Sequence, residues 1–204
     1  MQRKDQNLSI LTGHLPEPLK ESSIKVFIDG FGQKIDHLML NPHDSNQAKR
    51  VYRDGADFTS GIYALCEGKL VGLIGLQFQR QKFIHLNLTT LHQEFGFWGG
   101  VTRKLSGSVF KDLHPLKDDE LRVQVISVAG SFRGTGVGHR LLEALFAWGK
   151  ARHLTCVRLE VVNTNPQAKK LYHELGFTRC GWLPYGPIAS KAGFSSQFLM
   201  KKEL

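Results

Sequence analysis

The sequence predicts an α/β domain in which a mixed β-sheet is covered by helices, and three features predict it. In the second half of the chain, apolar segments of strand length alternate with amphipathic helical segments in the order β-α-β-α-β, which lays helices on a sheet. A hairpin signal precedes them, two apolar runs around a short glycine turn. The chain of 204 residues, 41% hydrophobic, suits one core and leaves little room for a second.

Residues up to about Glu21 are polar and punctuated by Pro16 and Pro18, so 1–21 reads as a flexible lead-in and 22–204 as the domain. Ser22 and Ser23 offer a cap for a helix whose apolar stripe is Ile24, Phe27, Ile28, Phe31, Ile35 and Leu38, with Gly30 and Gly32 weakening it. A short second helix is expected from Asn46 to Arg53. Ile62 to Cys66, the turn Glu67-Gly68-Lys69 and Leu70 to Phe78 form the hairpin. Between Gln79 and Asp118, the spacing of Leu91, Phe95, Trp98, Val101, Leu105 and Val109 predicts a helical insertion, interrupted by Gly96, Gly99 and Gly100.

The signal then strengthens. Leu121 to Val128 is a strand, and His139 to Arg152 is a helix with Leu141, Leu142, Leu145, Phe146 and Trp148 on its apolar side. Val157 to Val162 is a strand, and Gln167 to Glu174 a helix that Gly176-Phe177 ends, returning the chain to extended structure. Phe194 to Met200 reads as a final strand.

Lys and Arg total 27 against 18 Asp and Glu, a formal net charge of +9. Such an excess favours an anionic ligand, a nucleic acid or an acidic surface without choosing among them. The charges are scattered, with no long basic run and no zinc-finger spacing, which reads against nucleic acid. Cys66, Cys156 and Cys180 show no paired or metal-ligand spacing, and neither do the nine histidines, so reduced thiols and no metal are expected. No apolar stretch follows the basic start, and none reaches membrane-spanning length. The expectation is a soluble cytoplasmic protein without a membrane partner, a monomer or homodimer.

The chemistry is carried by Ile126-Ser127-Val128-Ala129-Gly130-Ser131-Phe132-Arg133-Gly134-Thr135-Gly136-Val137-Gly138-His139, where a strand feeds a glycine-rich turn that opens into a helix. Free N–H groups and the positive dipole end at a helix start suit phosphate. Glycines let the backbone approach the anion without a Cβ between them. An ATP-binding P-loop needs Lys then Ser/Thr after its last glycine; here Val137 follows Gly136 and His139 follows Gly138. The dinucleotide fingerprint fails too, because Gly134, Gly136 and Gly138 are spaced by two throughout.

This run resembles the acetyl-CoA-binding signature of the GNAT N-acetyltransferase superfamily, Gln/Arg-x-x-Gly-x-Gly/Ala, filled by Arg133, Gly136 and Gly138. Downstream, Asn165, Ala168, Leu171, Tyr172, Gly176 and Phe177 resemble that superfamily's second signature, Asn-x-x-Ala-x-x-Leu-Tyr-x-x-x-Gly-Phe. Upstream, Glu120 to Val128 matches its preceding strand, so the close resemblance covers about Glu120 to Phe177. It implies a mostly antiparallel central sheet flanked by helices, with the insertion placed before the cofactor-binding strand. The insertion then covers a sheet edge or, on a sharper reading, forms a lid over an acceptor pocket.

The resemblance also implies roles. Acetyl-CoA is the acyl donor, with its pantetheine arm on the main chain of Ile126 and Val128. Its pyrophosphate rests on the amides of Arg133, Gly134, Thr135, Gly136, Val137 and Gly138, with His139 next. Tyr172 is the candidate general acid at the departing thiolate. Asn165 contacts the arm or caps the helix that begins at Pro166. Glu120 aligns with a frequently acidic position and is the candidate base, while Gln124 stands where relatives often have an acid. Neither signature contains a cysteine, so direct attack by a primary amine in a ternary complex is expected. The acceptor is read as a small molecule; the alternatives are a protein N-terminus or lysine, or a CoA-binding module without catalysis.

Overall fold

The computed structural model describes residues 7–35, 45–109, 115–185 and 193–204, leaving aside the side chains of 32–35, 45 and 102–109. The elements are β1 (Leu8–Thr12), α1 (Glu17–Ile35), α2 (Ser45–Gly55), β2 (Gly61–Cys66), β3 (Lys69–Phe78), β4 (Gln81–Lys82), α3 (Leu88–Val109), β5 (Glu120–Val128), a 3-10 turn (Gly130–Phe132), α4 (Val137–Lys150), β6 (Cys156–Val162), α5 (Pro166–Glu174), β7 (Thr178–Pro184) and β8 (Ser196–Glu203). The strands form one sheet in the order β1-β2-β3-β5-β6-β8-β7, with β4 on β3. Only β5 and β6 run parallel among the described pairs.

The lead-in reading needs correction. Residues 8–12 pair with β2, from Leu8 opposite Cys66 to Thr12 opposite Ile62, and the first helix begins at Glu17, before the expected Ser22–Ser23 cap. Pro18 sits in that helix's first turn, where a missing N–H costs no intrahelical bond. Leu15, fully buried between strand and helix, anchors the connection. The prolines are therefore punctuation inside the fold. The expected apolar positions Ile35, Leu38, Leu105 and Val109 lie outside the described side chains.

The hairpin β2–β3 closes through Glu67 and Gly68, both with positive φ (51° and 76°), the conformation of a tight primed turn matched to strand twist. Two hydrophobic clusters cover the faces of the sheet. One joins Val137, Leu141, Leu142 and Leu145 of α4 with Tyr172 and Phe177 over Ile62, Ile74, Leu121, Val123 and Leu159. The other joins Phe27 of α1 and Tyr52 of α2 with Tyr63, Leu73, Phe83, Leu91 and Val125. The insertion helix α3 kinks at Gly96 (φ 72°, ψ 171°) and is tied to α2 by Arg50, which pairs with Glu94 at 2.6 Å.

A bulge in β5 decides what faces what. Gly75 of β3 pairs with Val125, and Leu76 pairs with Val123, so Gln124 is an extra residue opposite neither. A bulge bends its strand and shifts the alternation of side chains by one. Before it, Leu121 and Val123 belong to the α4-side core; after it, Val125 joins the α1-side core and the Ser127 hydroxyl donates to Val26 O of α1 at 2.7 Å.

Candidate active site

Pairing between β5 and β6 runs from Glu120 opposite Cys156 to Val123 opposite Leu159 and stops there. Both strands continue, to Val128 and Val162, each held on its other side by β3 or β8. The stop falls at the Gln124 bulge, which turns β5 away from its parallel neighbour. The gap opens into a cavity of about 890 Å³ that joins the two faces of the sheet.

The edge of β5 facing this gap is unused by sheet pairing. Ala129 N–H donates to Val71 O of β3 at 2.9 Å. Strand alternation therefore turns the N–H groups of Val128 and Ile126 toward the gap. Their side chains pack in part against the α4-side core, and both residues line the cavity.

Gly134 (φ 76°) and Gly136 (φ 94°) bring the following turn to the head of α4, and no heavy atom lies within 4 Å of a Cβ built on either. The N–H groups of Gly134, Gly136, Val137, Gly138 and His139 donate to no backbone oxygen among the described residues, as expected where a helix starts without upstream carbonyls. An anion fits such a cradle of amides at a positive dipole end. Phe132, Arg133, Gly134, Gly136, Gly138 and His139 line the cavity. Thr135 instead turns its hydroxyl to Phe132 O at 2.7 Å, and the Val137 side chain is buried in the core.

Arg133 does more than add charge. Its guanidinium donates to Val128 O at 3.1 Å and to Asp29 O of α1 at 3.2 Å, bracing the strand end against α1. His139 stands 3.4 Å from Glu143 on its own helix.

Tyr172 lines the cavity from α5 with 4% exposure, its ring packed on Phe177 at 5.7 Å between centroids. Burial pushes its phenol pKa far up, so the hydroxyl keeps its proton and can donate it. Asn165 caps α5, its Oδ1 accepting Ala168 N–H at 3.1 Å, and it also lines the cavity; the cap and a wall position coexist.

Glu120 is placed elsewhere. It is absent from the cavity wall and is held by Arg158 at 2.7 Å and by Lys117 N–H at 3.1 Å. Burial pulls its carboxyl pKa upward, but the Arg158 hydrogen bond and charge and the Lys117 amide outweigh burial and hold it below the ordinary range. A carboxylate so occupied is a weak base. The sheet brings a different carboxylate to the cavity, Glu160 of β6, with Arg122 of β5 at 3.9 Å from it. Tyr185 stands nearby, its hydroxyl donating to Gln197 Oε1 at 3.0 Å, with a pKa pushed up to about 12 by burial and by the Glu160 charge. Gln124 lines the cavity as well, its Oε1 accepting Ile84 N–H at 3.2 Å.

Sequence reasoning missed Glu160, Arg122 and Tyr185 as cavity residues. The sequence signal for Glu160 lies in β6: in Val157-Arg158-Leu159-Glu160-Val161 the polar side chains alternate with core ones, so this strand presents a charged face. Among the described residues, no group of three His, Cys, Asp or Glu side chains could hold a metal, and no helix is long and apolar enough to cross a membrane.

A family model described as the acetyltransferase (GNAT) family matches residues 32–177. Streptothricin acetyltransferase of Escherichia coli is 33% identical over 81 residues, 40% of this chain and 45% of that protein. The probable N-acetyltransferase camello of Xenopus tropicalis is 27% identical over 121 residues, 58% of this chain and 53% of that protein. The chain thus spans about half the length of these curated relatives. A solved GCN5-related N-acetyltransferase from Kribbella flavida superposes with a TM-score of 0.59 at 15% identity, covering 97% of this chain and 98% of that one, a likeness of fold.

Proposed function

The chain belongs to the acetyltransferase (GNAT) family, and from that premise we propose that it transfers an acetyl group from acetyl-CoA to the primary amine of a small molecule, by direct attack in a ternary complex. The observation that carries this reading is the parting of β5 and β6 after Val123–Leu159. It leaves strand amides, a helix-head amide cradle and a buried tyrosine around one cavity that is open from both faces.

Acetyl-CoA supplies an acetyl thioester; this chain's residues bind, orient and move protons. The amides of Gly134, Gly136, Val137, Gly138 and His139 hold the diphosphate, whereas those of Arg133 and Thr135, expected to join them, donate to Gly130 O and Phe132 O within the turn. Ile126 and Val128 offer main-chain hydrogen bonds to the peptide-like arm, in the manner of an added strand. Val128 N–H also faces the gap where negative charge would develop on the acyl oxygen, and such a fixed donor lowers the barrier without reorganisation. Tyr172 keeps its proton until the departing thiolate takes it. An attacking ammonium must first lose a proton, and Glu160 is the sheet carboxylate on the cavity wall suited to receive it. Glu120, locked to Arg158, serves the fold in this reading.

The name of the relative in Escherichia coli, streptothricin acetyltransferase, supports a small-molecule acceptor. A module that binds CoA without catalysis would explain Gln124 in place of an acid, but it leaves Tyr172 and Glu160 around the cavity unexplained. The test is calorimetry with CoA and acetyl-CoA, followed by transfer of labelled acetyl to a panel of amines. Binding with time-dependent transfer is expected; binding without transfer to any amine would favour the non-catalytic module, and no heat with either ligand would remove the reading.

A further inference from the structure

On the cavity wall, Arg133 directs its side chain to protein carbonyls and not only to the amide cradle beside it. It ends the 3-10 turn, immediately before Gly134. From there its Nε donates to Val128 O at 3.1 Å, and its Nη2 donates to Asp29 O at 3.2 Å. A planar guanidinium with two of its five N–H donors committed in this way has a fixed plane. It joins the end of β5 to α1, whose contact residue lies 104 positions away in the chain.

Strand register explains why Val128 O is the carbonyl taken. Val128 lies opposite Gly72 of β3, and the adjoining bond runs from Ala129 N–H to Val71 O at 2.9 Å. Val128 and Gly72 therefore form a pair that exchanges no hydrogen bonds, and the N–H and C=O of one strand residue leave on the same edge. Both Val128 groups point away from β3, into the gap that β6 leaves. Arg133 takes the oxygen and leaves the nitrogen. The planar peptide joining Val128 to Ala129 is thus held at both polar ends, its N–H by β3 and its oxygen by Arg133. Only the φ and ψ of Val128 separate that plane from the Val128 N–H.

The contact also changes the local field. A carbonyl left uncapped beside a donor sets its negative end against any negative charge which that donor stabilises. A charge-assisted bond from a guanidinium offsets that end and adds positive charge. On the other side, α1 gives Arg133 a firm support. A Cβ on Gly30, next to Asp29, would stand 2.1 Å from Ser127 Oγ, and that hydroxyl donates to Val26 O at 2.7 Å. Helix and strand are pressed together where Arg133 bridges them.

We propose that Arg133 is a positioning residue for acetyl transfer: its side chain acts through Val128, so that this residue presents its N–H, and not its carbonyl, to the acyl oxygen of the bound thioester. This deepens the acetyl-transfer reading and rests on it. The role differs from that of a charge partner for the diphosphate, which any cation at this place would fill. Lysine keeps the charge but lacks the fork, so it cannot hold two carbonyls in one plane. Arg133 is exposed, and water competes for both of its bonds. Displacing that water strengthens them, so the N–H is held most firmly in the loaded protein.

The experiment binds acetyl-CoA, isotope-labelled at its thioester carbonyl carbon, to the wild-type protein, Arg133→Lys and Arg133→Met. Affinity is read by calorimetry, the carbonyl band by infrared difference spectroscopy, and kcat with the best amine of the panel. In the wild type the bound band should lie below that of the free thioester, as a hydrogen-bonded carbonyl does. Arg133→Met should return it toward the free position and lower kcat by about tenfold or more, while CoA affinity changes by no more than about fivefold. Arg133→Lys should keep the affinity and recover only part of the band shift and of kcat; it carries the test alone if the Met variant does not fold. A band and kcat unchanged in the variants overturn the proposal. So does a fall in CoA affinity that Arg133→Lys restores together with full kcat, the mark of a phosphate partner, and so does a wild-type band at the free position. No heat between the wild-type protein and CoA is a separate failure, that of the acetyl-CoA reading.

Discussion

Val123 of β5 lies in parallel register with Leu159 of β6, and it is the last residue of β5 so paired. One residue later, Gln124 bulges out of the pairing with β3. The two facts have one cause. An extra residue on one strand raises its local twist and bends it, so β5 stays with its antiparallel neighbour and leaves the parallel one. The cavity occupies the space vacated. Tyr172, on the α4 side, and Glu160, on the opposite face of β6, meet one cavity because the sheet is open between them.

Replacing Gly136 by Val tests the amide cradle. Gly136 has φ 94°, and nothing lies within 4 Å of the Cβ position, so the substitution adds backbone strain and not a clash. A left-handed conformation costs an L-residue about 1–2 kcal/mol, more for a β-branched one, which a folded domain can survive while the amides shift from their aim. CoA binding should vanish in calorimetry while far-UV circular dichroism stays near wild type. Unchanged affinity would remove the cradle.

Tyr172→Phe removes one oxygen from a ring that keeps its packing on Phe177. Loss of a positioned general acid typically lowers turnover by about 10²–10⁴-fold, and CoA affinity should change by no more than a few-fold. Because burial raises the phenol pKa above its ordinary 10.0, the wild-type pH–rate profile should show no alkaline decline from this group below that value. Equal turnover in the variant would retire Tyr172 as the acid.

Glu120→Gln should act on stability and leave chemistry alone. The folded carboxyl titrates below its unfolded value, so its ion pair stabilises the fold above the unfolded pKa of about 4.3 and is lost as pH falls through the lower folded value. At pH 7 the variant leaves Arg158 short of its partner, at a cost of about 1–3 kcal/mol. Urea melts should show the gap to wild type closing as the pH drops below about 5. A large fall in kcat with normal CoA binding would instead return Glu120 to the role of base.

How far the sequence is legible follows from how local each signal is. The glycine turn, the hairpin and helices α4 and α5 rest on contiguous residues, and the expected strand Leu121 to Val128 differs from β5 by one residue. The hairpin turn needs only Glu67 and Gly68. The splay and the bulge are relations between strands distant in sequence, and no periodicity within β5 announces that Gln124 is unpaired. Glu120 is suggested by its place along one strand, yet its partner Arg158 comes from another. Leu8 to Thr12 is hidden by polar neighbours, because an edge strand needs only alternate apolar residues.

Gly30→Ala examines how closely α1 lies on β5. A Cβ on Gly30 would fall 2.1 Å from Ser127 Oγ and 3.0 Å from Ser127 Cβ, and that hydroxyl is already committed to Val26 O at 2.7 Å. On an open helix surface the substitution would stabilise by up to about 1 kcal/mol. Here the crowding should dominate and destabilise by about 1–3 kcal/mol, lifting α1 and lengthening the Arg133 contact to Asp29 O, now 3.2 Å. Adding Ser127→Ala removes the nearer atom but not the Cβ, so the double variant should recover only part of the loss, a non-additive coupling readable from urea melts of the four proteins. A Gly30→Ala protein as stable as wild type or more so would mean that helix and strand do not approach this closely.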